Sequence, residues 1–208
     1  TFETLTGNKC LVDTFDRDFQ FNVEHVSLAK LADIFLVAPA SADVIGKIAN
    51  GIADDMLTTT IMACKCPKLI SPAMNTNMFT NPIVQDNLKK LEHYGYEIIQ
   101  PDSGYLACGD TGAGKMPSEQ VLLNYILRTI AKDKDMTGIK LTVTAGPTRE
   151  KLDPVRFLSN NSTGKMGYAI AKMAMLRGAD VTLISGKVSL EPVPFVKMVD
   201  IVSAEDMY

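Results

Sequence analysis

Between Asp33 and Gly186 the chain repeats one pattern: a short, almost continuous apolar run ends in small or turn-forming residues, and a longer stretch with helical periodicity follows. The runs are "DIFLVAPA" (33–40), "KLISPAMN" (68–75), "YEIIQP" (96–101), "KLTVTAGPT" (140–148) and "DVTLISG" (180–186). Apolar on both faces and too short to be helices, they read as strands of a sheet covered by crossover helices. The pattern selects an α/β architecture with a mainly parallel sheet.

The segments between the runs carry helix punctuation. "ADVIGKIANGIADDMLTTTIMAC" (42–64) reads as mostly helical, broken into two pieces by Gly51. Asn81 and Pro82 supply a cap and a first-turn proline for a helix through about Tyr94, which Gly95 ends. Pro117 and Ser118 start another, whose apolar face runs through Val121, Leu122, Tyr125 and Ile126 before the charged "AKDKDMTG". That charged stretch reads as a linker at 132–138, between a first domain at 1–131 and a second at 139–208. The second domain opens with a βα unit, "NNSTGKMGYAIAKMAMLRGA" being its loop and helix, and shows little more than two strands before Tyr208. The first shows no glycine-rich βα turn ahead of His25. On these grounds the chain is expected to be a fragment of a longer protein, holding the inner halves of two α/β domains.

A length of 208 residues with 46% hydrophobic content supports a buried core. With 21 basic against 24 acidic residues and no basic run, the chain has no electrostatic footprint for nucleic acid. Cys10, Cys64, Cys66 and Cys108 have neither zinc-site spacing nor the density of a secreted disulfide scaffold, so reduced thiols are expected. No stretch approaches the ~20 apolar residues of a membrane span, and "TFETLTGNKC" lacks the regions of a signal peptide. A cytoplasmic protein is expected.

Several residues have the chemistry for a site, each with a plainer role beside it. His25, in "NVEHVSLAKLAD", precedes the first buried strand on a segment where Leu28, Leu31 and Ala32 share a helical face; it is a candidate base or a packed or capping residue. His93, at a helix end, suits the helix dipole. Asn75 in "SPAMNTNMF" follows a strand, where open α/β sheets place ligands; it either caps a turn or donates its amide to a substrate carboxylate or carbonyl, with Met74 and Met78 as apolar neighbours. "APASAD" places small residues and the Ser41 hydroxyl after the first strand. "SNNSTGKMG" offers Ser162, Thr163, Gly164 and Gly167 at the start of a helix, as an anion cradle or a plain loop.

"ACGDTGAGKM" (107–116) has Gly109, Gly114 and Lys115 at the spacing of a nucleotide phosphate loop. Met116, however, stands where that motif needs a hydroxyl for magnesium, and Cys108 precedes the glycines. With an ordinary thiol pKa near ~8.5, Cys108 can donate a proton or, once ionised, act as a nucleophile.

"HVSLAKLAD", "APASADVIGKIANGIADDMLTT", "PAMNTNM" and "ACGDTGAGKM" together resemble the flavin-dependent cysteine decarboxylases, and "TAGPTREKLDPVRFLSNNSTGKMG" resembles the phosphopantothenate-cysteine ligases. The order of the two in one chain is similar to that of the bifunctional decarboxylase-ligases of coenzyme A biosynthesis. The resemblance runs from His25 to about Gly186. It implies a flavodoxin-like, Rossmann-type parallel-sheet domain that binds FMN, in a homo-oligomer built from trimers with a dodecamer as one form, followed by the start of a Rossmann-like ligase domain.

In such enzymes the terminal thiol of 4'-phosphopantothenoylcysteine is oxidised by flavin to a thioaldehyde, carbon dioxide leaves, and the enethiol is reduced to 4'-phosphopantetheine. The resemblance makes His25 the active-site base, Asn75 the holder of the substrate carboxylate and Cys108 the proton donor of the final reduction, on a glycine-rich lid that excludes water. Ser41, Ala42 and Asp43 would lie near FMN. For the second domain it implies activation of 4'-phosphopantothenate by CTP with Mg2+, then attack by the amine of cysteine. Asn160 would bind the acyl intermediate, and Ser162, Gly164 and Gly167 would line the phosphate region. The family's later lysine-rich nucleotide segment is absent, so the piece is not expected to ligate by itself. A non-catalytic FMN-binding regulator and a phosphate-loop phosphotransferase are the competing functions.

Overall fold

A computed structural model describes residues 2–11, 24–105 and 111–208. The chain folds as two compact units, Thr1–Leu123 and Asn124–Tyr208.

In the first unit, helices α1 (Phe2–Thr6) and α2 (Glu24–Leu31) precede strand β1 (Phe35–Ala40), and α3 (Ala42–Ala49) and α4 (Met56–Ala63) follow it. Strand β2 (Lys68–Pro72), helices α5 (Thr76–Phe79) and α6 (Pro82–His93) and strand β3 (Glu97–Ile98) continue the alternation. The three strands form a parallel sheet in the order β1-β2-β3. Ile45, Ile48 and Ala49 of α3 and Val84, Leu88 and Leu91 of α6 recur at helical spacing and meet Val37, Ala40, Ile70 and Ile98 of the sheet in one buried cluster. Each fully buried aliphatic side chain there contributes about 1.5–3 kcal/mol. The expected cap is present: the Asn81 side chain accepts from the Ile83 N–H, with Pro82 in the first turn.

Three local expectations change. Strand β1 runs through Pro39 instead of ending before it, and its pairing with β2 shifts register between Val37 and Ala40. Proline has no N–H to give a ladder, so it belongs at such an irregularity. Leu31 is 78% exposed, and α2 packs against α4. The glycine stretch is not a loop throughout: β4 (Asp102–Tyr105) and β5 (Thr111–Lys115) form an antiparallel pair, and helix α7 (Glu119–Ile130) comes after them.

The division between the units falls inside α7. The second unit contains β6 (Lys140–Ala145), β7 (Arg149–Lys151), β8 (Phe157–Ser159), α8 (Lys165–Leu176), β9 (Asp180–Ser185), β10 (Lys197–Asp200) and α9 (Ala204–Met207). It therefore holds more than the two strands expected: a parallel sheet in the order β10-β9-β6 and an antiparallel β7–β8 hairpin. Tyr168, Ala171, Ala174 and Met175 of α8 cover Val143, Ala145, Val181 and Leu183. The stretch read as a linker has contacts of its own, with Asp135 paired to Arg177 and the Met136 N–H donating to the Arg177 carbonyl at 3.0 Å.

One polar cluster fixes the entry to α4. Asp55 accepts from the Thr58 N–H at 2.8 Å, while the Asp55 N–H donates to the Thr58 hydroxyl at 3.3 Å, a reciprocal cap. The Lys47 ammonium lies 3.4 Å from Asp55, 3.0 Å from Asp54 and 3.5 Å from Asp43. Burial opposes ionisation of Asp55, but the Thr58 N–H and hydroxyl and then Lys47 outweigh it and hold the carboxyl below its ordinary 3.8. A lowered carboxyl stabilises the fold above that pH and loses its contribution as pH falls through the lowered value. Asp55→Ala is expected to cost about 1 kcal/mol in urea unfolding at neutral pH, and the difference from the parent should shrink as the pH falls through 3.8 and below. A pH-independent difference would sink this account.

Candidate functional site

Parallel strands deliver the following loops to one edge of a sheet. Here the Ala73 N–H after β2 donates to the Ala40 carbonyl of β1 at 3.0 Å, tying the two exits together. Ser41, directly after β1, caps α3, its Oγ accepting from the Val44 N–H at 3.3 Å. Its own O–H hydrogen is a donor in addition to that bond. Ala42 and Asp43 occupy the first turn of α3. Asn75 caps α5, its Oδ1 accepting from the Asn77 N–H at 2.8 Å. The turn-capping role is therefore real, and it is made by the amide oxygen.

The hairpin adds a third element to this edge. The Met74 N–H donates to the Gly114 carbonyl at 3.0 Å. A Cβ on Gly114, whose φ is +129°, would stand 2.2 Å from the Met74 carbonyl oxygen. One on Gly112 would stand 2.4 Å from Thr76 Oγ1. These glycines are required because backbone lies directly on the "MNT" turn. The phosphate-loop alternative is overturned at the same point, since Gly112, Gly114 and Lys115 lie in an extended antiparallel strand and not in a loop wrapped on a helix N-terminus.

The segment that connects β4 to β5 carries Cys108, which lies outside the described residues. His25 is the second residue of α2, half-buried, and is not among the residues that these contacts join. His93 ends α6 with its ring edge-on to Tyr94, centroids 5.3 Å apart, as its helix-end position suggested. Thus the structure brings Ser41–Asp43 and Asn75 together with a glycine arm whose close approach spacing did not reveal. Ser71 Oγ and Thr76 Oγ1, on either side of "PAMN", are buried and make no hydrogen bond to any described residue. Orphaned polar atoms at a strand-end site suit a ligand with polar edges.

In the second unit, Asn160 caps its own turn, its Oδ1 accepting from the Ser162 N–H at 2.9 Å. Asn160, Ser162 and Thr163 are exposed. Gly164 begins α8 in left-handed backbone, with φ +74°, and has no side-chain cap. Gly167 serves helix–strand packing, since a Cβ there would stand 2.6 Å from that of Ala145. Beyond the ends of β9 and β10 lies a cavity of about 420 Å³ whose lining includes Tyr168, Ser185, Lys187, Val188 and Asp200. The Tyr168 hydroxyl and Ser185 Oγ are 3.1 Å apart in its wall. The sequence reading did not single out these residues; the signal available was "SGK" immediately after a buried strand.

A family model described as Flavoprotein matches residues 1–131. The chain belongs to the flavoprotein family. A second model, the DNA/pantothenate metabolism flavoprotein C-terminal domain, matches residues 136–208 of this flavoprotein. The chain is 45% identical over 210 residues to the coenzyme A biosynthesis bifunctional protein CoaBC of Bacillus subtilis (strain 168), covering 100% of this chain and 52% of that protein. The flavoprotein thus spans about half the length of the curated relatives it matches. Among solved structures it is similar to a PPC decarboxylase mutant complexed with pantothenoylaminoethenethiol, at 35% identity and a TM-score of 0.51 over 54% of this chain and 63% of that one. It is also similar to the FMN-dependent cysteine decarboxylase SpaF, at 34% identity and a TM-score of 0.50 over 59% and 65%. The fold of the first unit is flavodoxin-like.

The hairpin contact is open to direct measurement in this flavoprotein. Gly114→Ala is expected to lower stability by at least about 2 kcal/mol and to raise amide exchange at Met74 by more than about ten-fold. Unchanged protection of the Met74 amide would show that the arm does not hold the turn.

Proposed function

We propose that the first unit is an FMN-dependent decarboxylase of coenzyme A biosynthesis, converting 4'-phosphopantothenoylcysteine to 4'-phosphopantetheine. The observation that carries this is the joining, at one sheet edge, of the Ser41 cap, the Asn75 turn and the glycine arm continuous with Cys108. It agrees with what the related PPC decarboxylase and cysteine decarboxylase are named for.

The edge fits a flavin. The Ser41 hydroxyl and the first-turn N–H groups of α3 offer donors, Ala42 leaves room, Asp43 can accept from a hydroxyl or ring N–H, and the orphaned Thr76 hydroxyl stands nearby in sequence and structure. FMN, when bound, supplies a reversible two-electron oxidation of the substrate thiol, which provides the electron sink that carbon dioxide loss needs. The remaining roles belong to side chains. The Asn75 amide donates to the substrate carboxylate and orients it. The His25 imidazole accepts the proton released at the start of the reaction. The Cys108 thiol returns a proton to carbon in the last step. The similar PPC decarboxylase structure is a cysteine-to-serine mutant holding pantothenoylaminoethenethiol. An enethiol on a variant lacking a thiol is what loss of a final proton donor would leave, which supports the Cys108 assignment.

Residues 139–208, after a joint at 132–138, are the start of a phosphopantothenate-cysteine ligase domain that takes CTP. Asn160 and the Ser162–Gly167 segment would face the acyl and phosphate groups. Among the described residues no group of three or more His, Cys, Asp or Glu could hold a metal ion, so Mg2+ would enter chiefly on the nucleotide phosphates. The exposed Leu31 and Tyr105 side chains give a trimer-based assembly apolar surface to cover. No helix of the described residues is long and apolar enough to cross a membrane. The proposed setting is the cytoplasm, where the cysteines would be held reduced.

The test is carbon dioxide release from 4'-phosphopantothenoylcysteine by the intact protein loaded with FMN. His25→Gln and Asn75→Asp are each expected to slow it by at least about 100-fold. Cys108→Ser should still release carbon dioxide but accumulate the unreduced enethiol, seen by mass spectrometry. Absence of carbon dioxide release from the unmutated protein would overturn the proposal, and normal product from Cys108→Ser would remove that residue from its role.

A further inference from the structure

Two of the cysteines lie away from the proposed site. Cys64 ends α4 and is 5% exposed; its N–H donates to the Thr60 carbonyl at 3.1 Å. Cys66 follows at a bend and is half-buried, and β2 begins two residues later. The pair therefore stands at the start of β2, whereas Asn75 stands beyond its end. Cys66 lies close enough to Cys64 to act on its thiol. Cys66, Lys65, Pro67, Ala29 and Asp33 are among the residues lining a cavity of about 600 Å³, which gives small molecules a way to Cys66. The Lys68 ammonium donates to the Cys66 carbonyl at 3.3 Å and sits 5.5 Å from the centre of the Tyr96 ring.

The two sulfurs thus differ in access. Burial, and then Cys66 itself, push the Cys64 thiol up, while Lys68 opposes. A closed zinc site is not built here, because no group of three or more His, Cys, Asp or Glu could hold a metal ion among the described residues. Two peptide units separate Cα atoms by at most about 7 Å, the upper end of the span a disulfide bridges.

We propose that Cys64 and Cys66 are a reversible dithiol–disulfide site whose oxidant is a low-molecular-weight disulfide. The Cys66 thiolate attacks one sulfur of the oxidant R–S–S–R, forming a mixed disulfide and expelling R–S⁻. The Cys64 thiol then loses its proton and attacks the Cys66 sulfur, expelling the second R–S⁻. The protein loses two electrons and two protons, and the oxidant leaves as two R–SH. The resulting short loop is strained and so readily reduced. It would tie the end of α4 to the start of β2, independently of the decarboxylase chemistry.

Lys65 lies between the two cysteines, which gives the experiment its readout. The unmutated 208-residue chain is incubated with oxidised glutathione, alkylated and digested with trypsin. Cleavage after Lys47, Lys65 and Lys68 should yield peptides 48–65 and 66–68 joined by a disulfide, separated again by dithiothreitol. Cys64→Ser should instead hold Cys66 as a stable glutathione mixed disulfide, and Cys66→Ser should lower glutathione attachment at Cys64 by more than about ten-fold relative to Cys66 in the first variant. Recovery of both cysteines alkylated in the unmutated chain, a persistent mixed disulfide on its Cys66, or a linkage to Cys10 or Cys108 would each overturn the proposal. The unmutated chain supplies the deciding result, so a variant that fails to fold does not remove the test.

Discussion

The parallel pairing of β1 with β2 is the constraint on which the first unit depends. Once Phe35 lies beside Lys68 and Ala40 beside Pro72, both strands must end at one edge. The segments that leave them, one starting α3 and the other carrying Asn75, then become neighbours although they are far apart in sequence. Burial of Val37, Ile45, Ile70 and Leu88 supplies the stabilisation. Individual backbone hydrogen bonds contribute only about 1 kcal/mol net, so their larger effect is to fix register. The bond from Ala73 to Ala40 is where register turns into site geometry.

Close backbone approach completes the edge. The glycine arm lies on the turn after β2 because Gly112 and Gly114 present no Cβ to Thr76 and Met74. The second unit uses the same device: a Cβ on Gly186 would stand 1.9 Å from the Pro147 carbonyl oxygen, and Gly167 lets α8 settle on β6. Glycines that suggest a phosphate cradle by their spacing thus do steric work for the fold in both units, and any ligand role comes on top of that.

Much of the fold was legible in the sequence because parallel strands and amphipathic helices write strong local signals. "DIFLVAPA", "KLISPAMN", "KLTVTAGPT" and "DVTLISG" all contain strands, and Asn81–Pro82 and Gly95 bracket α6. The strands that escaped notice have weak signals: β5 is glycine-rich, β7 and β8 have three residues each, and β10 has four. Asn75 was legible as a strand-end residue and as a turn cap. Its contact with the glycine arm was not, because Met74 and Gly114 come together only through tertiary packing. The cavity wall formed by Tyr168 and Ser185 was hidden for the same reason.

By itself the sequence determined the α/β class, the order of most elements, and the supply of an imidazole, an amide and thiols in motifs that resemble a flavin enzyme. Those properties follow from spacing along a few neighbouring residues, which local periodicity encodes. Only the tertiary structure decided that the Ser41 and Asn75 turns share an edge, that the glycines serve backbone contact, and that Cys64 is buried while its partner Cys66 lines a cavity. Each of these depends on which distant segments exclude one another's atoms, and steric exclusion has no signature in a linear pattern.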